Sequence, residues 1–189
     1  MKKILFINAC IRPESRTLLL AQEVLKRLDG EIEEVNLCKE KIYPLDWERL
    51  EERTRLVMQK DFSAPIFKYA NQFIKANEIL IAVPCWDSAF PSVLRVYFEH
   101  VTITGLTFKY SPEGIPIGLC SADRMIYVTT AGGPFKNQTQ GYDYVKTLAN
   151  SFYGIPKILC FRAENLDIRD ADVNSIMQKA INDIKTADL

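Results

Sequence analysis

The chain is short of histidine. His100 is the only one among 189 residues, so a histidine-rich metal site or a Ser-His-Asp triad would rest on that residue alone. No pair of its five cysteines, Cys10, Cys38, Cys85, Cys120 and Cys160, forms a C-x-x-C motif, and the number is odd. That pattern fits reduced thiols rather than a disulfide framework or a zinc site. Charge of one sign is also missing: 24 basic residues balance 24 acidic ones, which argues against nucleic acid or an anionic membrane as partner. No apolar run reaches the roughly 18 residues needed to span a bilayer. The N-terminus enters a strand-like run at once, with no segment resembling a signal peptide, so the default expectation is a cytoplasmic protein. Ser/Gly-rich linkers, repeats and low-complexity tracts are absent, and the expectation is one domain over 1–189. Chemistry is left to a bound cofactor or to a cysteine.

What the chain does have is alternation. Strand-like segments at Lys3–Asn8, Ile32–Leu37, Glu78–Pro84, Arg124–Thr130 and Lys157–Ala163 are separated by helix-like ones at Thr17–Leu28, Trp47–Gln59, Ala64–Ala76, Pro91–Thr102, Thr139–Phe152 and Asp170–Lys185. Three of the strands are short, nearly continuous apolar runs, as expected for strands covered on both faces. Strands joined by helices pair in parallel through right-handed crossovers. The fold class is therefore α/β, a three-layer open sheet of five parallel strands in the order 2-1-3-4-5. Residues Gly105 to Gly118 read as a hairpin excursion, and the charged run Glu48–Arg55 as a solvated helix face with i,i+4 pairs.

In such a sheet ligands bind outside the carboxyl ends of the strands, where the strand order reverses. The loops there are Ala9–Thr17, Cys85–Pro91 and Ala131–Gln138. The first holds Arg12, Ser15, Arg16 and Thr17 just before a helix, whose N-terminal N–H groups and dipole suit a phosphate; the plainer reading is a polar turn with Ser15 as N-cap. In the second, Trp86 and Phe90 either wall a flat ligand or staple the next helix to the sheet. In the third, Gly132 and Gly133 let backbone approach a ligand closely, or simply make a tight turn.

The stretch Pro84-Cys85-Trp86-Asp87-Ser88-Ala89-Phe90-Pro91-Ser92-Val93-Leu94-Arg95-Val96-Tyr97-Phe98-Glu99, followed by Gly105-Leu106-Thr107-Phe108-Lys109-Tyr110, resembles the flavodoxin-like NAD(P)H:quinone reductases and FMN-dependent azoreductases. The Thr-x-Gly-Gly segment, the opening strand-turn-helix and Ile42-Tyr43-Pro44-Leu45-Asp46 match that pattern as well. The resemblance implies FMN, preferred over FAD, with NAD(P)H as reductant and a quinone, azo compound or nitroaromatic as acceptor in a ping-pong hydride transfer through flavin N5. It implies that Ser15, Arg16 and Thr17 hold the phosphate and that Pro84, Cys85, Trp86, Asp87 and Ser88 line the ring edge. Thr130, Ala131, Gly132 and Gly133 then face the pyrimidine end, and Phe135 and Tyr142 shape the substrate cavity. No side chain need act as a strong base. It further implies a homodimer with the active site at the interface, for which Val93, Leu94, Tyr97, Phe98 and Val101 offer an apolar face; His100 on the same helix reads as structural or interfacial, not catalytic.

Two residues depart from the azoreductase pattern, Asp87 in place of Asn and Phe135 in place of His, and the second bears on the azo substrate more than on the flavin. Two other readings stay open. Cys10-x5-Arg16-Thr17 matches the phosphate loop of low-molecular-weight phosphotyrosine phosphatases and arsenate reductases, although Pro13 removes an N–H donor, the loop has no glycine, and the chain has no Asp-Pro. A flavodoxin-type electron carrier is the third reading, disfavoured by the neutral charge.

Overall fold

The computed structural model describes residues 1–136 and 139–189. Asn137 and Gln138, at the end of the third expected loop, lie outside the described residues. The elements run β1 (Lys3–Asn8), α1 (Arg16–Leu25), β2 (Glu31–Asn36), α2 (Trp47–Met58), α3 (Lys68–Lys75), β3 (Glu78–Ala82), α4 (Ser92–Val101), β4 (Phe108–Tyr110), β5 (Pro116–Gly118), β6 (Arg124–Thr130), α5 (Tyr142–Thr147), β7 (Lys157–Ala163) and α6 (Val173–Thr186). Five strands form a parallel sheet in the order β2-β1-β3-β6-β7, which is the expected 2-1-3-4-5 counted along the sheet. β4 and β5 form the separate antiparallel hairpin foreseen for Gly105 to Gly118.

Burial follows position in the sheet. The central strands β1, β3 and β6 are buried almost throughout, whereas the edge strand β2 buries only Val35. Side chains alternate between two cores. Leu5, Ile7, Ile79, Ile81, Met125 and Tyr127 meet α3, α4 and α5 on one face. Phe6, Leu80, Ala82, Ile126 and Val128 meet α1 and α6 on the other. A smaller cluster of Leu56, Phe67, Ala70, Ile103 and Leu106 anchors α2.

Two expected helices are composite. The segment from Ala64 opens as a 3-10 turn at Pro65–Phe67 before α3, because proline cannot donate to an α-helical ladder but fits a first turn. α5 widens into a π-helical turn over Leu148–Tyr153 that ends on left-handed Gly154, where the Ile155 N–H donates to the Ala149 carbonyl. The end of β5 sits directly on this turn: a Cβ at Gly118 would overlap the Tyr153 carbonyl carbon and the Gly154 nitrogen. The α4 face is spent internally. Leu94, Tyr97, Phe98 and Val101 are buried in the chain's own core, so they do not supply the spare interface the sequence suggested. Among the described residues no helix is long and apolar enough to cross a membrane. Gly118→Ala is expected to destabilise the fold by about 1–3 kcal/mol in urea unfolding, because the overlap is with backbone that cannot turn aside.

Candidate functional site

The register brings the carboxyl ends of three strands to one level, with Asn8 beside Ala82 and Ala82 beside Val128. Asn8 shapes the first loop. Its side-chain oxygen accepts from the Cys10 N–H at 3.0 Å while its amide donates to Glu34 at 2.8 Å. Ser15 then caps α1, its hydroxyl accepting from the Leu18 N–H, and its carbonyl accepts from Leu19. The N–H groups of Arg16 and Thr17, at the very start of the helix, have no intrahelical acceptor and face the loop side. Thr17 is buried and its hydroxyl bonds the Thr130 hydroxyl at 2.6 Å, tying the first loop to the third. What Thr17 has free to offer an anion is therefore its N–H rather than its side chain.

The second loop makes a two-residue turn. Trp86 and Ala89 exchange both backbone hydrogen bonds at 2.8 Å, and Asp87 and Ser88 take φ of 51° and 65°. Positive φ at both central positions is the type I′ geometry, tolerable for Asp and less so for Ser. The turn separates its two aromatics. Phe90 packs against Phe98 and Tyr144 and staples α4, whereas Trp86 is exposed at the cleft. Asp87 lies at the exposed tip.

Two adjoining clefts result. One, of about 220 Å³, is lined among others by Ser15, Arg16, Thr17, Pro84, Trp86 and Thr130. The second, of about 210 Å³, is lined among others by Asp87, Ser88, Gly133, Pro134, Phe135 and Lys136. Both include Cys85, Ala131 and Gly132, so they form one groove. A Cβ at Gly133 would meet nothing within 4 Å, which leaves open space against the backbone at that point. Phe135 is held in place: its N–H donates to Glu164 at 2.6 Å and the Arg162 guanidinium lies 5.6 Å from its ring centre.

Of the residues that the resemblance assigned to the cofactor or the substrate, all but Tyr142 line this groove. Tyr142 lines neither cleft; it packs on Tyr127 with ring centres 5.7 Å apart. His100 is buried and its Nε2 meets the Tyr43 carbonyl at 2.8 Å, a structural role. Sequence reasoning missed the fourth wall, Leu166 and Asp167, which follow β7. Their backbone N–H groups donate to the Ala131 and Gly132 carbonyls. The Arg16 guanidinium donates to Asp167 Oδ1 at 2.9 Å and to the Leu166 carbonyl at 3.1 Å. Because β7 is an edge strand, its loop is not one of those flanking the strand-order reversal, and no local pattern marked it.

The thiol chemistry points away from a phosphatase. Burial pushes the Cys10 thiol up to about 11, so at neutral pH it is protonated, and it is only 7 % exposed. A nucleophilic thiolate requires the opposite shift. Among the described residues there is no group of three or more His, Cys, Asp or Glu side chains that could hold a metal ion.

The family model described as flavodoxin-like fold matches residues 2–187. The chain belongs to this flavodoxin-like family. Within it, an FMN-dependent NADH:quinone oxidoreductase 2 of Clostridium acetobutylicum is 32% identical over 200 residues, covering 98% of this chain and 97% of the relative. An FMN-dependent NADH:quinone oxidoreductase of Lachnoclostridium phytofermentans is 35% identical over 184 residues, covering 93% and 92%. Among solved structures, an azoreductase of Bacillus anthracis superposes with a TM-score of 0.86 at 22% identity over 97% of each chain. An FMN-dependent NADH-azoreductase of the same species, in complex with FMN, gives 0.83 at 24% identity over 98% of this chain and 96% of that one. At these identities the structural matches establish the flavodoxin-like fold.

Cys10 carries a pH prediction. The native state keeps its proton between about pH 9, the ordinary thiol value, and about 11, whereas the unfolded chain loses it. Stability from this group is thus complete below pH 9 and falls as pH rises through that window. Denaturation midpoints measured from pH 8 to 11 should fall, and less steeply in Cys10→Ala.

Proposed function

We propose that the chain is an FMN-dependent NADH:quinone oxidoreductase. The observation that carries this reading is the meeting of the α1 N-terminus with the Gly132–Gly133 backbone across one groove that is open at Gly133. Relatives about one-third identical over nearly their whole length bear that name. The residues present fit the cofactor. The Arg16 and Thr17 N–H groups, the Arg16 guanidinium and the capped helix end suit its phosphate. The backbone of Pro84, Cys85, Trp86, Asp87 and Ser88 suits the ring edge. Thr130, Ala131, Gly132 and Gly133 bring backbone donors to the pyrimidine end, where they would steady negative charge near N1 and O2.

When bound, FMN supplies hydride transfer from NADH and two-electron reduction of the acceptor, the two substrates taking turns in one slot. The chain contributes position and exclusion of water. Phe135, fixed by Glu164 and Arg162, walls the acceptor side, and none of the groove's side chains need move a proton as a strong base. A quinone suits this wall; the histidine of the azoreductase pattern is replaced by Phe135.

The deciding experiment is the visible spectrum of the purified chain after incubation with FMN. Oxidised-flavin bands that bleach on anaerobic addition of NADH and return on addition of a quinone are expected; no bands after incubation would overturn the reading. Gly133→Val should weaken FMN binding tenfold or more, about 1.4 kcal/mol. Its unfolding free energy should stay within about 0.5 kcal/mol of wild type, since the added Cβ meets no neighbour and stands in open space.

We also propose that the chain pairs with a second copy of itself through α2 rather than α4. Trp47 and Met58 on this helix are 74% and 81% exposed and Leu50 is exposed beside them. Glu51 and Arg55 border the same patch, so a two-fold related copy would set acid against base. Trp47→Glu should convert a sedimenting dimer to monomer; an unchanged sedimentation coefficient would reject this surface.

A further inference from the structure

The anion end of the groove is electrically balanced, which is unusual for a place that holds a phosphate. Arg12 and Arg16 line it, but so do Glu14 and Asp167. Asp167 is not loosely placed. Its N–H donates to the Gly132 carbonyl at 2.9 Å, and its carboxylate lies so close over Gly132 that a Cβ there would run into it. From that position Oδ1 takes a hydrogen bond from Arg16 at 2.9 Å. The same guanidinium nitrogen also donates to the Leu166 carbonyl, which keeps the arginine at the rim of the cleft. Both side chains are substantially exposed, 41% for Arg16 and 66% for Asp167, and ion pairs in such surroundings are weak enough to exchange.

Building on the flavin reading above, we propose that Asp167 is a selectivity residue whose carboxylate competes with a phosphate monoester for Arg16, and so limits how much the phosphate adds to cofactor binding. A phosphate monoester carries between one and two negative charges at neutral pH. Docking at the α1 N-terminus, it gains the helix N–H groups outright, but it gains Arg16 only by displacing a carboxylate already bonded there. It also enters the field of that carboxylate. The exchange of one ion pair for another makes the bound state less sensitive to salt than a bare arginine site would be.

The test compares FMN with riboflavin, which has the same ring and no phosphate, on the flavin-free full-length chain by quenching of flavin fluorescence. Asp167→Asn removes the charge and keeps the shape. It is expected to tighten FMN by about two- to fivefold with riboflavin unchanged, the size expected for an exposed charge pair. FMN binding by the variant should also weaken more steeply with sodium chloride than in wild type. Asp167→Ser guards against an effect peculiar to the amide and should act in the same direction. In the Arg16→Ala background Asp167→Asn should yield a smaller gain, since the competition has lost its object.

An unchanged FMN-to-riboflavin ratio in both variants would overturn the proposal while leaving the site reading intact, provided wild type binds FMN more tightly than riboflavin. Equal tightening of both ligands would overturn it too, because the effect would then lie at the ring. If wild type binds neither flavin, the reading of the site falls and this proposal falls with it.

Discussion

The structure depends on one divergence. From β1 the chain leaves for one face of the sheet through α1, and from β3 it leaves for the opposite face through α4. No crossover covers the carboxyl ends between these two neighbouring strands, so a crevice is left there. The backbone N–H groups at its edge have no acceptor inside the protein among the described residues: the first of a helix and those of a turn built on adjacent glycines. A ligand with a negative end and a flat body meets both demands.

The crevice is held open by bonds between loops far apart in sequence. Thr17 and Thr130 join hydroxyls, the Cys85 N–H donates to the Thr130 carbonyl at 2.9 Å, and the Asp167 N–H donates to Gly132. Thr130 thus touches both the first and second loops, and Gly132 touches the fourth. Among the groove's charged groups Arg16 and Asp167 are paired with each other, and Arg12, Arg16 and Lys136 are balanced by Glu14, Asp87 and Asp167. That balance is why the groove is nearly neutral in side-chain charge while still presenting oriented donors.

Much of this was legible in the sequence because the signals were local. The runs at Lys3–Asn8, Arg124–Thr130 and Lys157–Ala163 begin and end where the strands do. The resemblance to flavin-dependent quinone reductases and azoreductases picked out loops that do converge. What sequence could not resolve was which of two compatible packings a side chain takes. Trp86 and Phe90 lie four residues apart in one loop, and only the type I′ turn between them sends one to the cleft and the other to the core. Apolar residues on α4 looked like surplus surface until the sheet face and Tyr69 filled against them. The charged run on α2 hid the exposed stripe of Trp47, Leu50 and Met58. In place of the expected i,i+4 ladder, that helix carries one side-chain ion pair among the described residues, Arg49 with its N-cap Asp46. Asp167 left no trace, because its partner Arg16 is 151 residues away.

Amide hydrogen exchange with and without FMN tests the central claim most directly, because it reads the backbone donors themselves. If these loops form one cofactor cradle, FMN should slow exchange together at Arg16, Thr17, Asp87, Gly132 and Gly133, and leave the amino-terminal edge of the sheet around Asn77 and Asp123 unchanged. Slowing confined to one loop, or none at any of these amides while FMN is bound, would contradict the account.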